Sequence, residues 1–167
     1  MNGRRSPSRD VPGGLAPLTA EPRVLILGSF PSVLSLEKQE YYGNPKNQFW
    51  AVMAEIFFVP TSLPYPDRIA LLTRRGVALW DVVRACDRPG SADSRIRDAV
   101  PNDITGFFRA HPTLRLVAIN GSTAGRLYHR LAEVPGLASV MLPSTSPANA
   151  AMPFAEKVRM WKECLVV

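Results

Sequence analysis

Four short apolar runs, each closed by a residue that stops a strand, limit this chain to very few architectures. They are "RVLILGS" from Arg23, "GVALWD" over 76–81, "RLVAING" over 115–121 and "SVMLPS" over 139–144. Continuous apolarity, rather than alternation, is the mark of a strand covered on both faces. Between the runs the period changes to that of a helix. Phe49, Trp50, Met53, Ile56 and Phe57 recur at helical spacing, as do Ile69 and Leu72 ahead of Gly76. Ala124, Leu127, Tyr128 and Leu131 form a third such stripe, and Phe154, Val158, Trp161 and Leu165 a fourth. Strands alternating with helices require right-handed crossovers and therefore parallel pairing. The expected fold is α/β, a three-layer α/β/α sandwich around a central four-stranded parallel sheet.

With 167 residues, 46% of them hydrophobic, the chain can bury one sizeable core and not two. A single domain is expected over residues 23–167. Residues 1–22 hold four prolines and three glycines with no apolar periodicity, the composition of a disordered N-terminal tail. No internal repeat is visible.

In an open parallel sheet, ligands sit beyond the carboxyl ends of the strands. That rule singles out the loops "GSFPS", "WDVVRACDRPGSADS", "NGSTAG" and "LPSTSPANA". The balance of 20 Lys and Arg against 14 Asp and Glu leaves a net charge of +6, which favours an anionic partner such as nucleic acid. The two cysteines, Cys86 and Cys164, cannot build a disulfide framework, an iron-sulfur site or an unaided tetrahedral zinc site, so a cytoplasmic setting is expected. No secretory leader and no apolar run of membrane length stands in the sequence. His111 lies in a turn and His129 on the polar side of a helix, and no metalloprotease, serine-elbow or metal-ligand spacing occurs. No metal and no cofactor is expected; the glycine spacing and lysine of a nucleotide-phosphate loop are also missing.

Each candidate segment has a plain reading beside a functional one. Asn44-Pro45 has the form of a helix start, with Asn as the cap and Pro in the first turn. Asn47 would then be a solvated first-turn residue, or an amide pointing into the strand-end crevice. "GSFPS" either merely ends a strand or exposes backbone N-H groups to a flat ligand. "LPSTSPANA" is either a stiff connection or a set of hydroxyls suited to phosphate oxygens. "NGSTAG" opens a helix whose N-terminal N-H groups can hold an anion.

Taken in order, "LILGSFPS", "YYGNPKNQFW", "LWDVVRACDRPGSADSRI" with "PNDI", and "LPSTSPANA" resemble the uracil-DNA glycosylase superfamily, and in particular its hypoxanthine-DNA glycosylase branch, sometimes called family 6. The resemblance covers roughly residues 23–165. It implies a monomeric enzyme, with DNA as partner and no obligate protein or membrane partner. That enzyme hydrolyses the N-glycosidic bond of a deaminated base, hypoxanthine foremost, after flipping it from the duplex. The superfamily's usual catalytic position two residues after the first glycine is Phe30 here, and the familiar second-motif histidine is replaced by Leu142 of "LPS". The resemblance therefore assigns catalysis to Asn47. Base binding falls to Gly28, Ser29, Phe30, Tyr42 and Asn44, with Tyr42 as the stacking face; relatives often carry His at the place of Asn44. Contacts to DNA fall to Ser122, Ser144, Thr145, Ser146, Pro147 and Asn149, with Pro147, Ala148 or Asn149 filling the gap left by the flipped base. Three alternatives stand beside this reading: a uracil or mismatch glycosylase, an inactive DNA-binding member, and a nucleoside-binding protein.

Overall fold

The computed structural model describes Pro17 and residues 20–166. The tail expected over 1–22 lies almost wholly outside them. Pro22 is buried and its carbonyl accepts a 2.7 Å hydrogen bond from Thr113 Oγ1, so the packed chain starts at least one residue before the boundary drawn above.

In chain order the elements are β1 (Val24–Gly28), α1 (Val33–Lys38), α2 (Phe49–Phe57), α3 (Tyr65–Arg74), β2 (Val77–Asp81), β3 (Val83–Asp87), β4 (Arg97–Pro101), α4 (Ile104–Ala110), β5 (Leu116–Asn120), α5 (Ser122–Leu131), β6 (Ala138–Leu142) and α6 (Phe154–Leu165). The four apolar runs form one parallel sheet in the order β2-β1-β5-β6. The chain leaves β1 toward β2 and later returns to the other side of β1 with β5. The topological switch therefore falls between β1 and β5, where a crevice opens at the strand ends.

Central β1 is buried along its whole length and divides its side chains between two cores. Val24 and Ile26 pack with Phe49, Met53, Leu72 and Trp161, which come from α2, α3 and α6. Leu25 and Leu27 pack with Phe107, Ala124, Leu127 and Tyr128, from α4 and α5. These are the three layers expected from the alternating pattern, and each fully buried Leu or Ile contributes about 1.5–3 kcal/mol of transfer free energy.

Three features differ from the sequence reading. First, the segment after β2 is not a plain loop: β3 and β4 pair antiparallel with two register shifts. The strand sequence "VRACD" alternates too weakly to announce itself, and its partner follows only after the irregular loop over 88–96. Second, α1 and α4 are short helices with side-chain caps, Ser32 accepting from Ser35 N at 3.1 Å and Asp103 from Gly106 N at 2.8 Å. Third, Asn44-Pro45 does not start a helix. Asn44 Oδ1 accepts from Lys46 N at 3.0 Å, an Asx turn, and α2 begins only at Phe49. The N-H of Gln48 is taken by the Thr145 carbonyl at 2.9 Å, which ties this turn to the opposite loop.

Candidate active site

A cleft of about 880 Å³ opens at the carboxyl ends of the strands. Its walls come from the turn after β1, the turn before α2, the end of β2, the loop between β3 and β4, the start of α5 and the loop after β6. These segments are far apart in sequence and meet only because parallel strands bring their ends to one edge.

The floor is Gly28. A Cβ there would lie 2.6 Å from Asp81 Oδ1 and 3.4 Å from the Tyr42 hydroxyl, so only glycine leaves that space to the two side chains. Gly28 and Asp81 are register partners at the ends of β1 and β2. Next to it, Ser29 is buried at the cleft wall. Phe30 is 7% exposed and belongs mainly to the core below the sheet. The Arg88 guanidinium lies 4.9 Å over its ring and donates to the Phe30 carbonyl at 3.4 Å and to the Pro31 carbonyl. Arg88 thus buttresses the turn that lines the cleft, and Phe30 is left little free face for stacking.

Tyr42 forms one wall. Its backbone is left-handed, with φ 55°, an uncommon state for a tyrosine that turns the ring inward. One face stacks on Phe49, with centroids 3.8 Å apart and planes 18° apart. Its hydroxyl accepts from Asn120 Nδ2 at 3.3 Å, and burial, reinforced by Asp81, holds it protonated far above the ordinary phenol range. Beside it, Asn44 and Asn47 line the same cleft. Asn47 Oδ1 accepts from Phe49 N at 2.9 Å, so the amide plane is set by the start of α2.

Asn120, at the end of β5, fastens the far wall. Its Oδ1 accepts from Thr145 N at 3.0 Å and its Nδ2 donates to Thr145 Oγ1 at 2.9 Å. Thr145 is fully buried, and its hydroxyl is turned to Asn120. Ser144 and Ser146 accept backbone N-H groups two residues on, at 3.1 and 3.2 Å, and Asn149 Nδ2 donates to the Ser144 carbonyl at 3.1 Å. Ser146 caps a short turn that begins at Pro147. Ser122 is the exposed first residue of α5, behind Gly121, whose φ of +96° and 3.0 Å approach to Ser144 Cβ require glycine.

Two side chains absent from the expected site set hold it together or charge it. Lys157 of α6 is fully buried and donates to Gln48 Oε1 at 2.8 Å and to the Asn149 carbonyl at 3.3 Å, bracing both cleft loops from behind. Desolvation lowers its affinity for a proton. Its signal was in the sequence: it falls three residues after Phe154 and four before Trp161, on an otherwise apolar stripe. The other is Asp81, 5% exposed at the end of β2. Burial above all, then the charge of Asp93, pushes its carboxyl up to about 7, with Arg88 pulling the other way. Asp93 is itself raised by burial, against a hydrogen bond from Ser29. Among the described residues no cluster of His, Cys, Asp and Glu could hold a metal ion, and no helix is long and apolar enough to cross a membrane.

Sheet order and a cleft at the switch point define a parallel α/β protein whose candidate site lies at the strand ends, with Tyr42 at its wall. The family model of the uracil DNA glycosylase superfamily matches residues 17–165. The chain belongs to that superfamily. It is 40% identical over 135 residues to a hypoxanthine DNA glycosylase of Methanosarcina acetivorans, covering 80% of this chain and 85% of that protein. A hypoxanthine DNA glycosylase of Methanosarcina barkeri is 36% identical over 127 residues, covering 75% and 80%. A solution NMR structure of a candidate uracil DNA glycosylase from Methanosarcina acetivorans superposes with a TM-score of 0.81 at 35% identity, over 92% of this chain and 95% of that one.

Proposed function

We propose that this protein is a DNA glycosylase that removes hypoxanthine from deoxyinosine in DNA by hydrolysing the N-glycosidic bond. The observation that carries the reading is the convergence of six separate segments, among them those of Tyr42, Asn47 and the Gly28-Ser29 turn, on one cleft of about 880 Å³. Two relatives at 36–40% identity, both hypoxanthine DNA glycosylases, support the choice of base.

A base inside a duplex is out of reach, so the nucleotide is flipped out at a cost of a few kcal/mol, less for a mispaired deaminated base. Stacking on the open face of Tyr42 returns about 1–3 kcal/mol without regard to base identity. Identity is read by polar groups. Hypoxanthine offers a 6-oxo acceptor and an N1-H donor, where adenine offers an amino donor and a bare nitrogen. Donors from Asn47 Nδ2 and the Gly28-Phe30 turn suit the oxo group, and adenine would leave them unpaired at about 1–3 kcal/mol each. The same donors stabilise the negative charge that gathers on the base as the bond breaks. Ser144, Ser146, the turn at Pro147 and the start of α5 at Ser122 hold the flanking phosphates. The unpaired cysteines Cys86 and Cys164 suit a reducing cytoplasm, and the protein works as a monomer.

Duplexes containing deoxyinosine, deoxyuridine or a simple mismatch, treated with alkali after incubation, test the reading. Strand scission fastest at deoxyinosine is expected. Faster scission at deoxyuridine would make it a uracil glycosylase; binding without scission anywhere would make it a DNA-binding member.

A further inference from the structure

Asp81 has no task in that mechanism, yet it sits at the cleft floor. It lines the cleft, is 5% exposed, and its Oδ2 is the one buried side-chain oxygen or nitrogen among the described residues without a hydrogen-bond partner. Its other oxygen fills the space above Gly28, beside the Tyr42 hydroxyl. Buried polar groups in proteins are almost always paired, and an unpaired one costs most when ionised. An orphan carboxyl oxygen on a side chain that lines a ligand cleft is explained when the ligand supplies the partner.

The surroundings decide which form the carboxyl takes. Asp93, from the loop between β3 and β4, adds negative charge, and Tyr42 and Tyr41, on the turn before α2, stay protonated. Among the described residues the one cation acting on it is Arg88, whose N-H groups already bind the carbonyls of Phe30, Pro31 and Gly90. Nothing on β1 is charged. With its proton affinity raised to about 7, the carboxyl keeps a large share of the neutral acid at neutral pH, where an ordinary aspartate keeps almost none.

We infer that Asp81 is a catalytic residue that donates its carboxyl proton to the departing base. This rests on the glycosylase reading and adds a general acid to it. As the bond from C1′ to the base nitrogen breaks, its electron pair moves onto the base, and the Asp81 proton moves to a ring nitrogen or the oxo group. Water adds to C1′ and loses a proton to solvent, and solvent returns a proton to the carboxylate. The sum is one water consumed, one free base and one abasic site. An ionised Asp81 would instead face the negative charge forming on the base and oppose its departure.

Single-turnover excision from a deoxyinosine duplex, measured from about pH 5.5 to about pH 9 with wild type and Asp81→Asn, tests this. Wild type should slow as pH rises through about 7. The Asn variant should lose about 10²–10⁴-fold in rate and show no such decline, while binding the same duplex and melting as a folded protein. A wild-type rate that climbs with pH, or a variant within about threefold of wild type, overturns the assignment. So does an Asp81 carboxyl carbon resonance that titrates near the ordinary value of about 4. Wild type that cuts no damaged-base duplex would sink the glycosylase reading together with the proton donor, whereas active wild type with an unaffected variant sinks the proton donor alone.

Discussion

Asn47 holds the first turn of α2 with its side-chain carbonyl and lines the cleft, so in the proposed mechanism one residue combines a structural bond with a chemical one. The two can be separated. Asn47→Asp keeps an acceptor for Phe49 N but loses the donor to the base, and should keep its melting temperature while losing about 10²-fold or more in excision rate. Asn47→Ala should lose the rate and also about 1 kcal/mol of stability, because the cap bond goes with it. Both should bind undamaged duplex as wild type does; parallel melting, binding and single-turnover measurements check this. Asp81 makes a second prediction, about stability. Its folded proton affinity, about 7, stands above the usual carboxylate value of about 3.9 in an unfolded chain. Its contribution is therefore complete below about pH 4 and is lost as pH rises through about 7, by up to roughly 4 kcal/mol. Urea denaturation should show wild type losing stability between about pH 4 and about pH 7 and levelling off above, with Asp81→Asn losing much less. Identical losses in the two proteins would remove Asp81 as the cause.

The strands and the four long helices were legible because each buries an apolar run or stripe, and burial leaves a periodic trace in a single segment. The hairpin of β3 and β4, short α1 and short α4 were not, since they depend on an irregular pairing with two register shifts or on one capping side chain. The start of α2 was misread for a related reason. Asn44 satisfies its own turn locally, and the contact that delays the helix, Gln48 N to the Thr145 carbonyl, joins residues far apart in sequence. Lys157 is the element-level counterpart of that contact, a buried ammonium on α6 bracing the turn before α2 and the loop after β6. Lys157→Ala removes the stem from the core and strips the donor from Gln48 Oε1 and the Asn149 carbonyl. A cost of about 2–4 kcal/mol in urea denaturation is expected, with weaker DNA binding in the protein that remains folded. Lys157→Met, which refills the volume, should recover much of the stability but not the binding. Full recovery of both would reduce Lys157 to a space-filler.

Across the whole molecule, charge and cleft are arranged in complementary places. The net charge is +6, yet among the described residues the cleft is lined by Asp81 and Asp93 and by no Lys or Arg. Exposed Lys46 and Arg95 instead stand next in sequence to lining residues, at the rim. The strand-end location was readable from the sequence because loops after parallel strands share one edge; the carboxyl pair at its floor was not, because nothing in "WD" or "ADS" shows that the two meet. Such a layout suits an uncharged base entering a floor where burial favours the protonated form of both carboxyls, while phosphates stay outside with the cations and hydroxyls. It follows that salt should act on capture and not on chemistry. With about two or three phosphates neutralised at the rim, affinity for undamaged duplex should fall roughly 10- to 40-fold between about 50 and 200 mM salt. The excision rate at saturating enzyme should stay unchanged over the same range. Ser144→Ala with Ser146→Ala should likewise weaken binding and spare that rate, since hydroxyls that clamp phosphates do not touch the breaking bond. A saturated rate that falls with salt, or with loss of the two serines, would mean that phosphate contacts also position the flipped sugar over the cleft floor.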